Sequence, residues 1–106
     1  MLIRLKKEFF LQIKERSKKL EIRVNYPNLR GIKPGHEVTF ECGRERLIVK
    51  INDVRRYTTF ASMLENENPN LIAKGKTKEE VLNICQTIYP PHKEALGVLV
   101  FDISPI

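Results

Sequence analysis

The densest group of side chains able to do chemistry is the run Lys18-Lys19-Leu20-Glu21-Ile22-Arg23. Charged and apolar residues alternate strictly from Lys19 to Val24, the mark of a half-buried strand. Lys19, Glu21 and Arg23 then share one face, while Leu20, Ile22 and Val24 turn to the core. A guanidinium offers phosphate a planar fork and an ammonium offers a mobile point charge. A carboxylate between them can take a proton or orient a base amine. The same row also fits an exposed strand face with cross-paired charges, an arrangement worth little energetically. Pattern alone leaves both readings open.

Other chemistry is sparse. There is no phosphate-cradling glycine loop, no HExxH and no glycine-flanked nucleophilic serine. His36 and His92 sit beside Gly35 and Pro91 in apparent loops and read as surface residues. Cys42 and Cys85 lie far apart with no partner at metal-ligand spacing, so neither a metal site nor a disulfide is indicated, and both read as small buried hydrophobes. No cofactor is implied. Tyr26 and Tyr57 can each offer a stacking face, worth about 1–3 kcal/mol per base, or can pack within the fold.

The elements that must position these residues follow from periodicity. Leu2, Leu5, Phe9 and Ile13 recur every three to four residues, which predicts a helix from Leu2 to about Arg16, immediately before the charged strand. Tyr26-Pro27-Asn28 and Lys33-Pro34-Gly35 punctuate a loop. Val38, Phe40 and Cys42 alternate with polar residues up to Gly43-Arg44, and Leu47, Val49 and Ile51 alternate beyond it, predicting a hairpin whose second strand can reach Tyr57. Thr59 can cap a short helix carrying Phe60, Met63 and Leu64, and the polar run from Glu65 to Asn70 reads as an exposed loop. Thr77-Lys78-Glu79-Glu80 fits a capping box for a helix striped by Val81, Ile84, Cys85 and Ile88 and stopped at Tyr89-Pro90-Pro91. Gly97 to Ile103 is a near-continuous apolar run, as in a strand buried on both faces. The order predicts one α+β domain spanning residues 1–106, a mixed sheet curling into a small barrel with flanking helices.

Charge separates along this order. The chain carries a net +6, but residues 1–33 hold ten Lys/Arg against three acids, a local +7, and the remainder carries −1. A basic excess confined to one third of the chain suits a face that meets a polyanion, though a solvated helix face gives the same count. No apolar run has the length of a signal peptide or a membrane span, so the expected location is the cytoplasm, with no membrane partner.

Several of these segments resemble the ASCH pattern. Phe9/Phe10, Ile13 and Lys18-Lys19-Leu20-Glu21-Ile22-Arg23, followed by Ile32-Lys33-Pro34-Gly35-His36-Glu37-Val38-Thr39-Phe40, are similar to its helix, Gly-x-Lys-Thr-x-Glu-x-Arg motif and Gly-Asp turn into a strand. Val54-Arg55-Arg56-Tyr57-Thr58-Thr59-Phe60, Ile88-Tyr89-Pro90 and the strand through Phe101 also resemble that family. The resemblance implies a PUA-like β-barrel, commonly associated with RNA, with Lys18, Glu21 and Arg23 lining a cleft and Lys19 at the usual Thr position. Arg16 stands where the family often has Gly, and His36 replaces the Asp after Gly35. A branch of small ASCH amidohydrolases deacetylates acetylcytidine with a Lys, a Thr and a downstream Glu. Here Lys18 is kept, but Glu21 occupies the Thr position and Lys74 the Glu position, so the same chemistry is not implied.

Two functions follow as expectations. In the first, the domain binds RNA or a nucleotide with Lys18, Lys19, Glu21 and Arg23, aided by Tyr26 or Tyr57. In the second, it is a small hydrolase of a modified nucleoside or RNA, with Glu21 as acid/base and Lys18 or Arg23 stabilising negative charge. As cleft residues, Lys18, Glu21 and Arg23 are expected to tolerate alanine at a cost of only about 0.5 kcal/mol each in folding stability.

Overall fold

The computed structural model describes all residues from Met1 to Ile106. In chain order the elements are β1 (Leu2–Arg4), α1 (Lys7–Lys14), β2 (Leu20–Val24), a 3-10 turn (Pro27–Leu29), β3 (Glu37–Cys42), β4 (Glu45–Tyr57), α2 (Phe60–Asn66), α3 (Pro69–Ile72), α4 (Lys78–Ile88), α5 (Pro91–Glu94) and β5 (Val98–Pro105). The strands form one sheet in the order β1-β3-β4-β5-β2. Only the β1–β3 pair is parallel, so the sheet is mixed, and it curls into a half barrel.

The apolar pattern explains the two layers. Leu99, Phe101 and Ile103 of β5 join Phe10, Ile13, Val38, Phe40, Val49 and Ile51 inside the curl. Val98 and Val100, on the other face of β5, join Leu20, Ile22 and Val24 of β2 beneath Phe60, Met63, Val81 and Cys85 of the helices. The near-continuous apolar run of β5 thus serves two cores at once. β4, at 13 residues the longest strand, skips one pairing between Ile51 and Asp53, and this bulge bends it around the curl. The β3–β4 hairpin turns at Gly43, whose φ of 59° suits glycine. Thr59 accepts a hydrogen bond from the Ser62 N–H to start α2, and Thr77 and Glu80 form the capping box of α4.

Four features depart from the periodicity. The helix predicted from Leu2 is instead a short strand followed by a helix starting at Lys7. Pairing with β3 satisfies the first residues' backbone and buries Ile3, which three residues of helical spacing could not achieve alone. Arg16, which stands where glycine is usual, adopts φ 69° and ends α1 in the left-handed conformation regardless, with Ser17 and Lys18 N–H groups both donating to the Gln12 carbonyl. The polar run from Glu65 to Asn70 is not all exposed loop: Glu67 is buried, and Asn68 caps α3. Pro91, read as part of a helix stop, also begins α5, where its missing N–H costs nothing.

Candidate functional site

β2 is one of the two edge strands, and beside it runs a cleft of about 220 Å³. β1, α1, the link between them and β2 itself supply Arg4, Leu5, Lys6, Phe9, Glu21, Ile22 and Arg23. The α3–α4 side supplies Ile72, Ala73, Val81, Ile84, Cys85, Ile88 and Tyr89. α1 ends one turn before β2, so the link between them lays Lys18 across the strand's start.

Lys18 is 3% exposed and Glu21 6%. The Lys18 ammonium donates to the Leu20 carbonyl at 2.6 Å and the Ile72 carbonyl at 2.7 Å, lies 3.2 Å from Glu21 Oε1, and sits over the Phe9 ring at 5.5 Å. Burial disfavours its charge and lowers its pKa, although the Glu21 carboxylate pulls the other way. Glu21 Oε2 accepts from Arg23 Nε at 2.8 Å and lies 2.8 Å from Nη2 in an ion pair, while Nη2 donates to the Arg4 carbonyl at 3.2 Å. Glu21 therefore couples an interior ammonium to a half-buried guanidinium. The three charges are integral to the fold, and the expectation that each tolerates alanine does not survive: removing one partner of a buried pair strands the other.

The family model of the ASCH domain matches residues 3–106 of the chain. The chain belongs to the ASCH domain family. Its fold is closely similar to a crystal structure of hypothetical protein PH0355, with a TM-score of 0.90 and 34% identity over 99% of this chain and 97% of that one. A solution NMR structure of protein PF0455 from Pyrococcus furiosus matches with a TM-score of 0.80 and 36% identity over 99% of this chain and 96% of that one. No curated protein matches.

Within this ASCH domain the other candidates scatter. Lys19 is exposed and outside the cleft lining; its N–H donates to the Leu71 carbonyl and its carbonyl accepts from Ile103. The alternation that groups it with Glu21 and Arg23 fails because the segment is still entering the sheet, and Lys18 turns inward instead. Tyr26 also lies outside the lining, with its ring 6.4 Å from Tyr89 and Lys93 placed over it at 5.4 Å. Tyr57 is remote, on the far end of β4, donating to Glu67 Oε2 at 2.6 Å. That carboxylate is also clamped by Arg55 through Nε at 2.7 Å and Nη2 at 2.8 Å, and Arg55 reaches Asp53 and Asp102 as well. These bonds hold the Glu67 pKa low, against its burial, and raise that of Tyr57. Tyr57 thus ties α2 to the sheet.

Phe9, Cys85 and Tyr89 line the cleft without having been singled out as site residues. Burial pushes the Cys85 thiol up to about 11 and raises the Tyr89 phenol, which the Val24 N–H partly offsets. A detectable signal existed for Tyr89, since it ends the α4 stripe at a helical step beyond Cys85 and so stays on the same face.

Proposed function

We propose that this protein binds RNA or a nucleotide in the cleft beside β2. The observation that carries the reading is the cleft's division of labour. Its interior is apolar with a neutralised Lys18–Glu21 pair, while Arg4 and Lys6 stand exposed at its mouth and Arg23 is half exposed between them. Such a site suits a flat ring inside and a phosphate outside. The +7 of residues 1–33 supplies attraction at longer range.

Hydrolysis by Glu21 is the weaker alternative. Both of its oxygens are already held by cations, and Lys18 spends its protons on two carbonyls and Glu21, so neither group is free to meet a substrate.

Binding of short single-stranded RNA, followed by fluorescence anisotropy across a salt series, tests the reading. Each phosphate contacted should add roughly 0.7 to the log–log salt slope. Arg4→Ala and Lys6→Ala should weaken binding more than Lys7→Ala, which removes the same charge from α1 outside the cleft. Equal losses from all three would reduce the effect to diffuse charge, and absence of binding at low salt would refute the proposal.

A further inference from the structure

One face of the sheet is only half covered. The helices pack over β2 and the start of β5, but the same face is bare over β1, β3 and the first half of β4. Strand register aligns the bare residues in three rows. Leu2, Thr39 and Ile48 form the middle row, continued by Ile106, whose N–H donates to the Ile48 carbonyl. Arg4, Glu41 and Arg46 lie on one side of it, and Glu37, Lys50 and Ser104 on the other. Paired residues share a face, and burial alternates accordingly. Val38, Phe40, Val49 and Ile51 point into the core, while Leu2 is 45% exposed, Ile48 49% and Ile106 69%. An open apolar row bordered by charge is the form an interface takes.

The order of the charges selects the occupant. Both signs occur in each flanking row, so a polyanion would meet repulsion as well as attraction here. A second copy of this chain fits better. With a two-fold axis running along the strands, midway between β3 and β4, β3 of one copy lies over β4 of the other in every row. Glu41 of one copy then meets Arg46 of the other, Glu37 meets Lys50, Thr39 meets Ile48, and Leu2 meets Ile106. An axis across the strands instead sets Glu41 against Glu37 and Arg46 against Lys50, like on like. The lengthwise arrangement is also the aligned packing of two sheets, whose strand directions stay within about 30° of each other. Glu41 already holds Arg46 at 3.1 Å within its own copy, so the axis gathers four charges of alternating sign.

We infer that this face joins two copies of the chain in a weak isologous dimer centred on β3 and β4. Three strands about 4.8 Å apart offer roughly a few hundred Å² per copy, at the small end of specific interfaces, so the dimer belongs to high protein concentration.

Sedimentation equilibrium of the full chain from micromolar to millimolar concentration tests this, with thermal midpoints near that of the wild type showing that each variant is folded. The wild type should pass from monomer to dimer over that range. Ile48→Lys, which buries an unpaired charge at the centre, should weaken association about tenfold or more. Glu37→Lys and Lys50→Glu should each weaken it severalfold when alone, because both copies of one pair become repulsive. An equimolar mixture of these two variants should restore a dimer of near wild-type strength, since every pair across the axis is again of opposite sign. A wild type that stays monomeric at millimolar concentration, an Ile48→Lys variant that dimerises as well as the wild type, or a mixture that gains nothing over its components would each overturn the inference. Stronger self-association of Glu37→Lys alone would overturn it in favour of the crosswise axis, where Lys50 faces Arg46 and Glu37 faces Glu41.

Discussion

Replacing Lys18 by Met isolates what the buried ion pair does. The thioether roughly fills the space of the lysine stem, so little cavity is created. The loss is electrostatic: Glu21, 6% exposed, keeps Arg23 but loses the ammonium 3.2 Å away, and the Leu20 and Ile72 carbonyls lose donors at 2.6 and 2.7 Å. Breaking one side of a buried pair costs about 3–5 kcal/mol, and because Arg23 still neutralises the carboxylate the lower end applies, about 3 kcal/mol. Lys18→Met/Glu21→Gln removes both charges and should recover about 1–3 kcal/mol relative to the sum of the single changes. Equilibrium unfolding in urea, with slopes checked for constancy across the variants, measures all three. A Lys18→Met protein within about 0.5 kcal/mol of the wild type, or strictly additive changes, would show that the pair is solvated and that the cleft floor is not as described.

Three further outcomes follow from other parts of the molecule. Arg16→Gly relieves a left-handed residue at about 1–2 kcal/mol but loosens the unfolded chain by up to about 1 kcal/mol, so a net gain of about 0–2 kcal/mol in urea unfolding is expected; a clear loss would mean that the Arg16 side chain makes a stabilising contact. Arg55 holds the Glu67 pKa below its ordinary 4.5, so the stability contributed is full above that pH and drains away as pH falls through the lower folded value; Glu67→Gln should flatten this acid limb, and an unchanged profile of thermal midpoint against pH would contradict it. Cys85, with its thiol pushed up to about 11, should resist iodoacetamide at pH 8 until the chain is unfolded, which mass spectrometry of the alkylated residue can follow; modification of folded Cys85 at the rate of the denatured chain would count against its burial.

Much of the scaffold is legible because it is local. The Gly43-Arg44 turn, the Thr77 capping box and the two-faced apolar run of β5 each follow from a few adjacent residues obeying one rule. β1 is hidden because its stabilising partner, β3, lies far along the chain, and its three residues also satisfy a helical spacing. The site splits in the same way. Alternation puts Glu21 and Arg23 on one face, but the inward turn of Lys18 and the outward turn of Lys19 depend on carbonyls of Ile72 and Leu71. Glu67 looks like a loop residue until β4 brings Arg55 and Tyr57 to it.

The position of β2 in the sheet has a consequence for the chain during synthesis. Its only strand neighbour is β5, so Leu20–Val24 leaves the ribosome early and waits for Val98–Pro105 before it can be fixed. Contacts of such long sequence separation form late, because their loop-closure entropy is met before they are rewarded. A nascent chain lacking β5 can hold the β3–β4 hairpin but has no template for the edge on which Glu21, Ile22 and Arg23 are displayed. The basic N-terminal third is therefore exposed well before the cleft beside β2 exists, and that cleft is completed only when β5 arrives.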